Sequence, residues 1–372
     1  TYRSPILWLL PVISAGVALT AAQGVIYLLA KNTDLTVNGQ TQGILTVLVF
    51  GAGTDYALLL VARHREELRR HEDRHEAMAL ALHRAGPAIV ASASTVIVGM
   101  LCLTLAEMNS TASMGPGLAI GIAVGGAAML TLLPALLVIT GRWVFWPLRP
   151  TYGSADHTAT GVWAHVGRWI APRARTVWVT TALVLGVFSF GVFQLNATGL
   201  SYEESFIGTP DSIVCQRVVD EHFDSGAGDP IIVISNTDGA GAVQAAFEDT
   251  PGIVRGSVTA LPPQDGLTFM QGTLTDPPDG KAAQETVKRL RDAVHEVEGA
   301  DARVGGGSAV LLDVTNASSR DNLVIIPVVL LVVFLILALL LRAIVAPLIL
   351  IGTVVLSFLA AFGISAFLFT QV

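Results

Sequence analysis

Seven apolar runs, each long enough to cross a lipid bilayer, restrict the fold of this chain more than any other feature. About 20 predominantly apolar residues span the hydrocarbon core as a helix. The runs cover residues 5–30, 43–62, 87–106, 117–141, 176–195, 323–341 and 347–369. The composition agrees, since 52% of the residues are hydrophobic, 14% are charged and the mean hydropathy is +0.62. The sequence therefore predicts an α-helical polytopic membrane protein.

The stretch between the fifth and sixth runs has the pattern of a folded α+β domain. The predicted elements, in chain order, are strand 230–235, helix 240–248, strands 252–260 and 267–275, helix 281–297 and strand 303–305. The second helix places its apolar residues on one face: Ala283, Val287, Leu290, Val294 and Val297. This order of elements predicts a ferredoxin-like β-α-β-β-α-β unit. No nucleophile–base pair or ligand cluster is evident in it, so no catalytic residue is predicted there.

Charge in the connections predicts how the chain is oriented. Arginines crowd residues 63–86 and 142–175, whereas residues 196–322 carry twenty acids against eight bases, a net charge of −12. Basic connections remain in the cytoplasm, so residues 196–322 are expected to be extracytoplasmic. Nucleic acid is excluded as a partner, because no basic face remains outside the membrane-flanking connections.

The runs and the charges together predict the domain organisation. The predicted parts are a four-span bundle at 1–141 containing a cytoplasmic amphipathic helix at 63–86, a cytoplasmic linker at 142–175, a span at 176–195, an extracytoplasmic domain at 196–322 and two spans within 323–372.

Asp55 is the only charged residue inside any of the seven apolar runs. Counted from Gln42, it lies about 20 Å along a helix that rises 1.5 Å per residue, well inside the hydrocarbon layer. A charge at that depth is costly, and acids there usually face the bundle interior and mark an ion or proton path. The alternative is a carboxyl that stays neutral in lipid or is paired structurally.

Small and hydroxyl residues near Asp55 are candidate supports for it. Gly51 and Ala52 lie one turn before Asp55 and would leave room for a neighbouring helix to reach the carboxyl. Ser92, in the third run, is a candidate hydrogen-bond partner, as are Ser94 and Thr95; bonding to the backbone of their own helix is the alternative. The glycines at 117, 121 and 125 are interpreted as ordinary close packing between helices.

Two catalytic motifs are incomplete. Residues 71–75 match H-E-x-x-H, the zinc-protease signature, but their charged surroundings favour a solvated helix along the inner membrane surface. The glycines before Asp55 are similar to those of intramembrane aspartyl proteases, but Thr54 interrupts the motif and the chain has no second intramembrane acid to share a proton. Cys102 and Cys215 predict neither a disulfide nor a metal site. No enzyme activity, metal or cofactor is expected.

Three stretches carry a resemblance to a known family. They are GAGTDYALLLVARHREEL at 51–68, the two-span segment from Arg84 to Pro147, and QLNATGLSYEESFIGTPDS at 194–212 leading into the α+β unit. Together they resemble the MmpL branch of the RND transporter superfamily in its actinobacterial form. The resemblance covers essentially the whole chain, and its most specific part is the Asp-Tyr segment with its arginine-rich tail.

The resemblance implies a fold and a function. Such proteins have twelve spans in two similar halves, with a porter domain after the first span of each half. This chain would then be a fragment holding spans three to nine and the second porter domain, without the first two spans, the first porter domain and the last three spans. Asp55 and Tyr56 match the first of two Asp-Tyr pairs that together pass protons in the family.

The implied activity is export of lipids or lipid-like hydrophobic molecules from the bacterial inner membrane, driven by the proton-motive force. The implied partners are the hydrophobic substrate, protons, the membrane and the missing segments; a homo-oligomer stays open. Two alternatives remain: a SecDF-like module that uses protons to aid protein secretion, and a lipid-binding membrane receptor without a proton cycle.

Overall fold

The computed structural model describes residues 4–33, 35–147, 149–154, 162–194, 203 and 205–369. Within them, seven helices are long and apolar enough to cross a membrane: Leu9–Asn32, Gly39–Arg70, Arg74–Leu105, Asn109–Phe145, Ala164–Phe193, Gly307–Leu341 and Val345–Leu368. Each of the seven predicted runs overlaps one of these helices, which confirms the polytopic helical class. The predicted boundary at residues 195 and 196, and part of the predicted linker 142–175, lie outside the described residues.

The chain forms two compact units. The membrane unit combines Thr1–Leu195 with Asp321–Val372, and the α/β unit is Asn196–Arg320. The sequence predicted that the second unit extends from residue 196 to residue 322, two residues beyond its observed end at Arg320.

Four long helices of the membrane unit pack together: α1 (Leu9–Asn32), α2 (Gly39–Arg70), α3 (Arg74–Leu101) and α5 (Met114–Thr140), with the short α4 (Asn109–Ala112) before the last. The glycines of α5 let α2 approach closely. A Cβ built at Gly121 would collide with Leu45 and lie 3.1 Å from Val49, and one at Gly117 would lie 3.3 Å from Thr41. Close helix packing is therefore what these glycines provide.

The remaining helices of this unit are α6 (Val162–Ile170), α7 (Ala174–Ser189), α11 (Gly307–Leu341, which belongs to the membrane unit from Asp321 onward) and α12 (Val345–Phe369). Helix α7 and the 3-10 turn that follows it pack on α12. There the backbones nearly touch, because a Cβ built at Gly191 would collide with the backbone of Gly363.

The prediction of one amphipathic helix at 63–86 is wrong. Helix α2 continues to Arg70, residues 71–73 form a break, and α3 begins at Arg74. The break is favourable because the Asp73 side chain accepts a hydrogen bond from the backbone N–H of His75 at 3.0 Å, an N-cap of the usual kind. Pro87, expected to begin the third span, lies inside α3.

The α/β unit contains α8 (Asp211–His222), followed by β1 (Ile231–Asn236), α9 (Ala240–Asp249), β2 (Thr259–Ala260), β3 (Leu267–Gly272), α10 (Lys281–His295) and β4 (Arg303–Gly305). The sheet order is β2-β3-β1-β4, and every neighbouring pair is antiparallel. This is the predicted ferredoxin-like arrangement.

The packing of α10 also agrees with its sequence pattern, because Ala283, Val287, Leu290 and Val294 are fully buried. The strand predicted at 252–260 is too long, since only Thr259 and Ala260 are paired as a strand. Gly252 and Gly256 have φ angles of +102° and +74°, which turn the chain away from the extended conformation.

Candidate functional site

Asp55 and Tyr56 lie on different faces of α2. Tyr56 is 5% exposed and packs in the core of the membrane unit with Ala57 and Leu60. Asp55, one residue earlier and about 100° around the helix, is exposed. Among the described residues, no hydrogen bond or ion pair to the Asp55 carboxyl is found. The structure therefore gives the two residues different surroundings: a packed phenol and a carboxyl on an uncovered face.

The Tyr56 phenol is buried without a complete hydrogen bond. Its Oη has no partner of normal geometry in the described part of the chain, although the Ser92 side chain on α3 is its polar neighbour. Ser92 thus lies close to Tyr56, which is the half of the predicted pair that the core covers. Thr95, by contrast, donates to the carbonyl of Ala91 at 2.8 Å, the backbone bonding within its own helix that was the alternative.

The small residues before Asp55 divide between the two faces of α2. Gly51 is exposed, and a Cβ built there would meet no described atom within 4 Å. Ala52 is half-buried against the core. Sequence reasoning missed Gly53: a Cβ there would lie 2.9 Å from Met129 Cε and 3.7 Å from Ala15. The sequence did contain evidence for the burial of Gly53: its helical spacing from Val49 and Tyr56 places all three residues on the same, buried face of α2.

A buried carboxylate at the α2–α3 turn was also missed. Glu67 is only 1% exposed, and its Oε1 accepts a hydrogen bond from Arg84 Nη1 at 3.0 Å and lies 3.4 Å from Arg63 Nε. Arg142 strengthens the same turn, donating to the carbonyls of Leu68, His71 and Glu72 at 3.0, 2.8 and 3.0 Å. This stretch, predicted to be solvated, contains a paired charge that holds α2 to α3.

The H-E-x-x-H motif is split by the same turn. His71 follows the last residue of α2, while His75 lies in the first turn of α3. The zinc-protease geometry needs both histidines on one helix, one turn apart. No group of three or more metal-binding side chains is present in the described ranges.

A second buried acid lies on a membrane-length helix. Asp321 on α11 is 5% exposed, its Oδ1 accepts from the backbone N–H of Glu107 at 2.8 Å, and its Oδ2 accepts from that of Met108 at 3.3 Å. Asp321 was not identified as an acid on a membrane-length helix from the sequence, because the sixth apolar run begins only at Leu323, whereas the helix begins at Gly307. Asp321 therefore differs from Asp55 in having two backbone donors.

Comparison with known proteins agrees with this architecture. The model of the MMPL family matches residues 1–177 and 212–372. The membrane protein ActII-3 of Streptomyces coelicolor is 55% identical over 374 residues, covering 100% of this chain and 52% of the relative. The apo-petrobactin exporter of Bacillus anthracis is 32% identical over 389 residues, covering 97% of this chain and 52% of the exporter.

Two further similarities are more limited. The sulfolipid-1 exporter MmpL8 of Mycobacterium tuberculosis is 32% identical over 239 residues, which is 64% of this chain and 21% of MmpL8. The crystal structure of SecDF from Thermus thermophilus, a translocon-associated membrane protein, covers 98% of this chain and 44% of its own, with a TM-score of 0.50 and 18% identity. That likeness concerns the fold alone. The chain spans about half the length of ActII-3 and of the petrobactin exporter.

Proposed function

The chain belongs to the MMPL family, and we propose that it is the part of a proton-driven exporter that carries one half of the proton relay, Asp55 with Tyr56. The observation that carries this proposal is the position of Asp55: an acid in the middle of a membrane-length helix, exposed on a face that no described residue covers. Acids placed in this way are usually functional.

The chemistry of a carboxyl suits this role. In its protonated form it is neutral and tolerated in hydrocarbon, and it releases the proton when water or a second acid reaches it. No Lys, Arg or His among the described residues forms an ion pair with the Asp55 carboxyl. The buried phenol of Tyr56 is adjacent in sequence, and its hydroxyl lies beside the Ser92 side chain. A phenol can both donate and accept a hydrogen bond.

The uncovered face of α2 is the place where a second relay acid would approach. Gly51 on that face leaves room for a neighbouring helix. Since the chain spans about half the length of its relatives, the second acid is proposed to lie in the remainder of a longer protein.

We infer the substrate class from the relatives. One is named as an exporter of apo-petrobactin and another as an exporter of sulfolipid-1; the second molecule is a lipid. Export of a lipid or lipid-like hydrophobic molecule is therefore the proposed activity. The SecDF likeness does not favour protein secretion, because it concerns only the fold.

Replacement of Asp55 tests the proposal in the full-length protein, reconstituted in vesicles with a measured pH gradient. Asp55→Asn keeps the side-chain size and removes the titrating group, so substrate export and substrate-dependent proton flux should both vanish. Tyr56→Phe removes only a hydroxyl and should leave reduced transport. Matched controls are Asp265→Asn, at an exposed turn, and Tyr27→Phe, at an exposed position of α1; both should transport normally. Wild-type export by the Asp55→Asn variant would make the carboxyl structural and favour the lipid-receptor alternative.

A further inference from the structure

Asp321 lies at one end of a chain of polar contacts that reaches the helix of Asp55. Its carboxylate holds the backbone N–H groups of Glu107 and Met108 at 2.8 and 3.3 Å. These residues belong to the short connection between the turn that ends α3 and helix α4. Because both carboxylate oxygens accept from backbone amides, Asp321 fixes the position of this connection relative to α11.

Helix α4, which follows this connection directly, contacts the residues just before α2. Asn38 Nδ2 donates to the carbonyl of Ser110 at 3.4 Å, and Asn109 Nδ2 donates to Thr36 Oγ1 at 3.5 Å. Asn38 is the N-cap of α2, since its Oδ1 accepts from the backbone N–H of Thr41 at 2.7 Å. Residues 107–110 therefore contact Asp321 of α11 on one side and the N-cap segment of α2, Thr36 and Asn38, on the other.

We propose that Asp321 is a positioning residue that couples α11 to α2, through residues 107–110 and Asn38. The coupling rests on the proposed function. Helix α11 runs from Gly307 to Leu341 and carries Asp321. A displacement of α11 is passed through Asp321 to the cap of α2, the helix that carries Asp55. Substrate binding and proton transfer are linked in this way.

The experiment uses the full-length protein in vesicles and measures proton flux with and without the transported substrate. Asp321→Ala removes both acceptors and should lower the substrate-stimulated flux about tenfold, within the usual range of coupling between sites. Asp321→Asn keeps one acceptor, for the Glu107 amide, and should give a smaller loss. The control is Asp313→Ala on the same helix; its side chain is 58% exposed and pairs with Arg291, and stimulation should be unchanged.

Three measurements separate coupling from folding. Hydrogen exchange should become faster at the amides of Glu107 and Met108 in Asp321→Ala, while the melting temperature and expression level show whether the protein has folded. Asn38→Asp keeps the acceptor that caps α2 and removes the donor to Ser110, so it weakens the other end of the route without changing Asp321, while the contact of Asn109 with Thr36 stays. The double variant Asp321→Ala with Asn38→Asp should lose no more stimulation than Asp321→Ala alone, because Asp321→Ala already breaks the route on which both residues act.

The inference is overturned if Asp321→Ala shows fast hydrogen exchange at the amides of Glu107 and Met108 but keeps the wild-type substrate-stimulated proton flux. It is also overturned if the losses of stimulated flux in the two single variants add in the double variant. The proposed function fails differently. If Asp55→Asn still couples export to protons, the relay is wrong whatever Asp321 does. If Asp55→Asn abolishes coupled flux while Asp321→Ala retains full stimulation, the relay stands and the coupling role of Asp321 is rejected.

Discussion

Asp55 and Glu67 are carboxylates on the same helix, a little over three turns or roughly 18 Å apart, and their surroundings are opposite. Glu67 is buried and paired with Arg84 and Arg63. Asp55 is exposed, and the described residues offer it no partner. A buried charge held by ion pairs is part of the structure, whereas a charge placed in an apolar helix without a partner among the described residues is better explained by function. Substitution of Glu67 should therefore lower the stability of the protein, whereas substitution of Asp55 should abolish transport and leave stability nearly unchanged.

The largest effect on stability is expected for Glu67→Gln. The substitution removes the negative charge that pairs with Arg84 and Arg63, which should lower the free energy of unfolding by about 3 kcal/mol. This is the lower end of the range for buried pairs, because Arg84 is itself partly exposed. Thermal unfolding of the purified protein measures this cost. The matched control is the neighbouring Glu66→Gln; Glu66 is 35% exposed and pairs with Arg63 and, at 2.7 Å, with Arg70, so less than about 1 kcal/mol is expected. Equal losses for both variants would remove the contrast between a buried and a surface pair.

A smaller effect is expected for Gly121→Ala, which tests the packed face of α2. The new methyl group would collide with the end of the buried Leu45 side chain, which would have to repack, and would crowd Val49. Overpacking of this kind costs about 2 kcal/mol, seen as a lower melting temperature. The control is Gly51→Ala on the face of Asp55, where the described chain leaves open space. A similar loss of stability for Gly51→Ala in the full-length protein would show that another helix packs against this face, so closely that only glycine fits at position 51.

The smallest effect is expected for the double change His71→Gln and His75→Gln. His75 is exposed, and the contacts found for the His71 ring among the described residues are long, at 3.6 Å to Glu67 and 3.4 Å to Glu76. Stability should change by less than about 0.5 kcal/mol, as at ordinary surface positions, and export should be unaffected. Metal analysis of the purified protein is the second measurement. Stoichiometric zinc that is lost in the double variant would contradict this interpretation and restore the metalloprotease hypothesis.

Much of the fold could be predicted because its signals are local. The apolar length of each span and the stripe of Ala283, Val287, Leu290 and Val294 report directly on burial. Errors arose where short-range and long-range forces compete. Residues 63–86 look like one charged helix, but the Asp73 cap and the Glu67 contacts divide them between α2 and α3. Residues 252–260 look like a strand, but glycines with positive φ interrupt it.

The sequence by itself determined that this is a polytopic membrane protein with a ferredoxin-like domain and that Asp55 lies within a span. It could not determine which face of α2 the core would cover. That was decided by contacts far apart in the chain, such as those of Gly53 with Met129 and of Gly121 with Leu45. The same holds for Glu67, which pairs with Arg84 on α3, and for Asp321, whose amide donors lie in the connection before α4. Hydrophobic length and periodicity are properties of one segment, whereas the pairing of a charge depends on which segments the fold brings together.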